Sequence, residues 1–424
     1  MQRHSLCYLV LTSLMAFAYG SSVQAANLGF TPVSAEETAA CIAQLESSSY
    51  FPSARQGRVN QFGQRVFKLQ HEVFYAAAGM LVESIKKAEA TDGQFMQRYT
   101  TIRTNLFRLQ MLAKLFRKAG DDQNEARFER VRLLTKEFED RLGRFNELDE
   151  LVKLIKRRKM DGTDPKIPRQ GLVSVKEEWE LKRASALKDL RRWMVTAGWS
   201  TQVAAPQGGL VELYALLKET PWLTDAELIR YVGRRLPKML RKLQDEVTAG
   251  VYSPESDLGY SELEVEDKVH ELRREIREIG MVMQFSGGLF SFAKAGRAIA
   301  KEAQPLLEKY EFVLDLPVAK TPFARLPAAT IQPAHLVPRE LFVLLTEFTL
   351  EIGVAKDWAQ NQWRLHEAGL VSEGPDLNQS VDQIKDLAGQ SNSFNSLMQV
   401  LLQRIQEDRP FAAMADLMET NAVP

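Results

Sequence analysis

Apolar residues recur at three- and four-residue spacings along most of the chain, while alternating β-branched runs bounded by turn pairs are nearly absent. The pattern predicts long helices over 59–90, 95–119 and 121–159. Thr91-Asp92-Gly93 and Gly120 separate them, Asp121-Asp122 offers a cap, and Asp161-Gly162-Thr163-Asp164-Pro165 ends the run. Further helices fit 175–196, 210–219, 225–249, 262–285 and 293–310. Five prolines then fall between Pro317 and Pro338 (Pro322, Pro327 and Pro333 between them), which forbids helix and predicts an extended linker or a strap over 311–338. Beyond it, 339–366, 377–387 and 394–408 read as a helical C-terminal region. Short connections between long periodic segments make the architecture all-α, with antiparallel helices.

Composition sharpens this picture. The 424 residues are 45% hydrophobic and 26% charged, enough for one large core or two ordinary ones; disordered, collagen-like and polytopic membrane classes are excluded. Basic and acidic side chains balance at 55 each, but not regionally. Residues 51–160 hold 23 Lys/Arg against 14 Asp/Glu, and 340–424 hold 5 against 13.

The first residues read as a leader. Arg3 and His4 precede an apolar run from Leu6 to Tyr19, and Val23-Gln24-Ala25 fits signal-peptidase cleavage. That run is too short to span a bilayer, so a signal peptide over 1–25 and an exported protein, periplasmic or secreted, are expected rather than an uncleaved anchor. No other stretch approaches membrane length. Cys7 lies before the apolar run and Cys41 is then the one cysteine left, so no intramolecular disulfide is expected. The histidines (His4, His71, His270, His335 and His366) show no metal-ligand spacing.

Two of the expected helices are alike. Aligning Thr100 with His270 sets Ile102, Arg103, Leu106 and Leu109 over Leu272, Arg273, Ile276 and Ile279. His270, Arg273, Arg274 and Arg277 stand at i, i+3, i+4 and i+7, on one helical face opposite an apolar stripe. In the first copy Arg103, Lys114 and Arg117 share a face, while Arg108 is rotated from it by about 140°. A basic stripe on an amphipathic helix is ordinarily a solvated face laced to neighbouring acids, here Glu266, Glu275 and Glu278. The functional reading is different: guanidinium groups chelate phosphate oxygens, and repeated cations along a groove add through counterion release.

The stretch Arg103-Thr-Asn-Leu-Phe-Arg108-Leu-Gln-Met-Leu-Ala-Lys114-Leu-Phe116 resembles the signature helix of the CHAD domain family. Leu142-Gly143-Arg-Phe-Asn146-Glu147-Leu148-Asp149 resembles its Leu-Gly-x-x-Arg-Asp-Leu-Asp element, and His270-x-x-Arg273-Arg274-x-x-Arg277 its second basic helix. Order and spacing match over 60–310. The resemblance implies two antiparallel helical bundles related by a pseudo-twofold, a basic groove between them, and binding of inorganic polyphosphate. Arg103, Arg108, His270, Arg273, Arg274 and Arg277 carry over as ligand-binding positions; Lys114 and Arg117 are added from helix geometry. There are departures. Thr100 replaces a histidine, Phe107 and Gln110 stand at often-basic positions, Gly280-Met281 replaces Arg-Tyr, and Asn146-Glu147 replaces Arg-Asp.

Motifs of catalysis are missing. His270-Glu271 lacks the second histidine of a zinc-protease helix, and there is no Gly-x-Ser-x-Gly elbow or phosphate-cradling Gly-rich loop. Neither enzyme activity, cofactor nor metal is expected. No base-stacking set points to specific nucleic-acid binding. The expectation is therefore an exported polyanion-binding protein, most plausibly for polyphosphate, with an extra acidic helical region over 339–424. The rival is an envelope scaffold whose CHAD-like fold has lost its ligand and whose acidic region docks into the groove or engages a protein partner. A flat, exposed basic face would instead fit anionic lipid headgroups.

Overall fold

The computed structural model describes residues 34–48, 69–161, 169–203, 205, 207–286, 288–293, 301–326, 335–367, 374–381, 384–387, 389 and 391–420. The expected leader and the first ten residues of the 59–90 helix lie outside them.

Local chemistry sets the helix ends. α1 spans Ala35–Ser48 and α2 spans Leu69–Glu89. Thr91 then starts α3 (Asp92–Phe116) by accepting from the Gln94 amide. α4 (Asp122–Asp161) is 40 residues long, about 60 Å at 1.5 Å per residue. α5 (Arg169–Thr196) returns along it, and the short α6 (Gly209–Lys218) follows. Thr224 and Glu227 form a reciprocal cap at the start of α7 (Asp225–Thr248). A second such cap, Ser261 with Glu264, opens a helical turn (Glu262–Glu264), which widens into a π turn (Val265–Val269) before α8 (His270–Phe285).

Three expectations are corrected here. The chain has a small sheet: β1 (Phe290–Phe292) pairs in parallel with β2 (His335–Val337), Phe290 opposite His335. Of the helix expected over 293–310, the described part is a 3-10 turn at Lys301–Ala303 and α9 (Gln304–Lys309). The expected helix over 377–387 is a set of turns: the Asn395 amide donates to the Leu377 carbonyl, and the Val381 amide to that of Asn392. Among its described residues the backbone is satisfied partly by short local turns, such as the Ile384 amide on the Val381 carbonyl, and partly by the entry to the next helix.

The proline-rich segment takes 3-10 turns at Glu311–Asp315, Pro317–Lys320 and Pro322–Ala324, burying Val313, Val318, Ala319 and Ala324 against α10 (Arg339–Glu367). α11 (Phe394–Asp408) ends on Arg409, whose left-handed φ of 50° reverses the chain into an unforeseen last helix, α12 (Pro410–Thr420). Pro410 opens that helix where its missing amide costs nothing.

The described fold is all-α apart from the small sheet. α2, α3, α4 and α5 pack in sequence; α7 packs on α12, and α8 on α10. One continuous apolar core runs through both groups, from Phe74 and Phe95 to Phe342, Phe348 and Met414. The two groups meet where α8 lies on α3, and where the Tyr231 hydroxyl of α7 donates to the Leu115 carbonyl at 2.7 Å.

Candidate functional site

The two helices that resemble each other in sequence touch in space. Their shared platform is Phe107, a position where the resembled family is often basic. Arg277 of α8 lies over this ring at 4.6 Å from its centroid, and Arg103 of α3 at 5.6 Å. Each gains a cation–π contact, but two guanidinium groups are thereby brought together. Glu139 of α4 answers one of them, accepting from Arg103 Nη2 at 2.7 Å and Nε at 3.2 Å. Gly143, from the Leu-Gly element, lies beside this pair, where a β-carbon would make ordinary contact with Arg103 Nη2 at 3.6 Å. The end of that element is structural, because Asp149 is fully buried and accepts from Tyr99 (2.9 Å), Arg183 (2.9 Å) and Lys153 (2.8 Å).

Arg277 has no such answer. Its Nε is buried without a hydrogen-bond partner, and burial pulls its pKa down to about 10; repulsion from Arg273 adds to this, and Glu278 and Glu139 oppose it. Arg273 lies under α10, where its Nε donates to the Thr349 carbonyl at 3.1 Å. It fits because residue 353 is glycine: a β-carbon at Gly353 would stand 2.7 Å from that Nε. Burial lowers this guanidinium too. His270, one turn back, has its Nδ1 buried and unpartnered. Burial, then the cations Lys356, Arg277, Arg273 and Arg274, hold its imidazole neutral with a pKa pushed down to about 4.

Lys356, absent from the sequence reading, completes the group. It comes from α10, is 7% exposed, and donates to Gln360 Oε1 at 2.7 Å and Asp357 Oδ1 at 3.1 Å. Burial first, and Arg273 in addition, act against its charge. Its sequence context is acidic and it lies far along the chain from α8, so no spacing pattern would have found it.

The structure takes the other predicted residues elsewhere. Lys114 pairs with Glu278 at 2.5 Å, Arg117 with Glu129 at 3.1 Å and Glu125 at 3.6 Å, and Arg274 with Glu271 at 2.5 Å. These are ordinary solvated ion pairs, each contributing well under about 1 kcal/mol. Arg108 is remote from Phe107's cations. Its guanidinium lies 3.9 Å from the Phe285 ring centroid and 2.8 Å from Met80 Sδ, and burial lowers its pKa to about 10. Phe285 is eight residues beyond Arg277, about 12 Å along α8.

The arrangement thus has an outer rim of paired cations and an inner group, Arg273, Arg277, His270 and Lys356, with little negative charge among it. Such a group can hold an anion by charge and hydrogen bonding. Among the described residues, no cluster of three His, Cys, Asp or Glu is placed to hold a metal ion, and no helix is long and apolar enough to cross a membrane. No protein-family model, curated protein or solved structure matches this chain.

Proposed function

We propose that this chain is a non-catalytic polyanion-binding protein of the cell envelope, with inorganic polyphosphate as its foremost ligand. In this reading it is a divergent, exported CHAD-like protein whose α2–α5 and α7–α9 groups are the two pseudo-twofold-related bundles, with α10–α12 an added C-terminal region. One observation carries the proposal: Arg273, Arg277, His270 and Lys356 are gathered half-buried or buried between α8, α10 and α3, and among the described residues Lys356–Asp357 is their one ion pair, with Glu278, Glu139 and Glu266 acting from farther off. Desolvated cations outnumber their counter-charges here, a costly arrangement of a kind that concentrates at functional sites. A phosphate chain supplies the missing charge, and guanidinium forks match its oxygens.

A scaffold reading draws support from the rim, because Arg103, Lys114, Arg117 and Arg274 already have carboxylates within 4.0 Å. Calorimetric titration with long-chain polyphosphate at two salt concentrations separates the readings, with the Arg273→Ala/Arg277→Ala variant as control. Salt-weakened binding that disappears in the variant is expected. No heat at low salt would refute polyanion binding and leave the scaffold.

A further inference from the structure

The C-terminal region is acidic as a whole, yet α10 turns a different face to the basic helix. Thr349, Gly353, Lys356 and Gln360 stand at i, i+4, i+7 and i+11, one face of α10. They meet α8 in antiparallel order. Arg273 reaches the Thr349 carbonyl across Gly353, Lys356 faces His270, and Gln360 donates to Glu266. Glu347 and Glu351 are on the other side, near Arg404 and Asp386. The helix therefore directs its single lysine, not these two acids, at the basic stripe.

Resting on the reading above, we propose that Lys356 is a ligand-binding residue of the anion site, and that the site takes a compact, multiply charged phosphate group inserted between α8 and α10. Two geometric facts support this. First, an ammonium has three donors, and two of those of Lys356 go to Gln360 and Asp357, which leaves one for a ligand on the face of α10 that the Arg273–Thr349 and Gln360–Glu266 bonds turn toward α8. Burying a lysine near a guanidinium works against folding, and the exposed carboxylate of Asp357 offsets only part of that cost. Second, α10 closes over Arg273, so the α8 stripe is not an open groove along its length, and a polymer cannot lie flat on Arg273, Arg274 and Arg277 together. A chain end, or a short free oligophosphate, can enter. The charged groups around His270 are Lys356 and Asp357 from α10, and Glu266, Glu271, Arg273, Arg274 and Arg277 from the π turn and α8.

The test is titration calorimetry with tripolyphosphate and with long-chain polyphosphate at equal chain concentration, on the full mature chain. Lys356→Met and Lys356→Gln are compared with wild type, and melting temperatures are read without ligand. The expected result is a ten- to hundredfold loss of tripolyphosphate affinity in both variants. Their ligand-free melting temperature should be equal to or above that of wild type, because a buried charge has been removed. The two ligands should bind wild type within about threefold of each other. If wild type binds and Arg273→Ala/Arg277→Ala does not, but both lysine variants bind within twofold of wild type, the role of Lys356 is overturned while the polyanion reading stands. Affinity that climbs steadily with chain length overturns the compact ligand. Failure of wild type to bind either probe sinks the underlying reading itself.

Discussion

Gly353→Ala separates the anion site from the fold. The added β-carbon would lie 2.7, 2.9 and 3.1 Å from Nε, Nη2 and Cζ of Arg273, all closer than van der Waals contact allows. The guanidinium is the far end of a flexible side chain and shifts more easily than helix backbone, so it swings away and loses its bond to the Thr349 carbonyl. A bond from a charged donor contributes about 1.5–3 kcal/mol, towards the lower end where water can replace the acceptor. Against this, alanine in a helix interior is favoured over glycine by about 1 kcal/mol. The net cost is about 0.5–2 kcal/mol, and in a chain of this length each kcal/mol moves the melting temperature by only about 1–2 °C. Binding is hit harder. With Arg273 displaced, a phosphate loses one charge-assisted partner, and affinity falls about tenfold or more. Calorimetric titration and a thermal scan on one preparation measure both. Affinity within twofold of wild type would refute the placement of Arg273 in the site. Lost binding with a fall above about 5 °C would show that the substitution acted through helix packing.

Further outcomes follow from buried charge. Burial, and Glu347 beside it, push Glu351 up to about 8, and both its carboxylate oxygens lack a hydrogen-bond partner. A carboxyl raised above its unfolded value costs stability as pH rises from about 4.5 to 8. Glu351→Gln should melt with wild type at pH 5 and above it at pH 8.5; coincident melting at both would disprove this. Asp149→Ala leaves Arg183 without its carboxylate around a void, while Tyr99 keeps Asn146 and Lys153 keeps Glu150, and should lower stability by about 2–4 kcal/mol, read by denaturant unfolding; under 1 kcal/mol would contradict the geometry. For His270 the folded pKa is depressed, so the unfolded chain binds the proton first: its contribution to stability is complete above about pH 6.5 and is lost as pH falls towards 4. An anion reverses that balance. Titrations at pH 6 in buffers of different ionisation enthalpy should show more proton uptake by wild type than by His270→Gln, and equal uptake would refute coupling at this imidazole.

Where the sequence was readable, a local cause was at work. Asp121 announces a helix start, accepting from the Asn124 amide, and α7 and α11 follow their apolar periodicity to within a residue. Leu377, Val381, Ile384 and Leu387 mislead because they keep a helical period, yet Leu377 and Ile384 are buried from a chain of turns held by Asn392 and Asn395. The sheet was invisible because three-residue strands carry too little pattern, and β2 finds its partner across an intervening helix. In the site, same-face spacing set His270, Arg273, Arg274 and Arg277 together on α8, where Arg273 is half-covered by α10 and Arg274 is paired with Glu271. Lys114 and Arg117 found acids on α8 and α4 that no helical wheel contains. Lys356 and the Phe107 platform depend on how separate helices pack, a long-range fact.

The cover that α10 lays over α8 also orders events in time. Synthesis runs from the N-terminus, so α8 emerges with its cations and its apolar face Leu272, Ile276 and Ile279 before any residue of α10 exists. The helices α2 to α5 have their local partners as soon as they are made, whereas α8 must wait for the strap and the C-terminal region to arrive. A chain cut after residue 310 would therefore be frozen at this waiting stage, its basic helix uncovered, and would be a substrate for chaperones and proteases rather than a minimal binding domain.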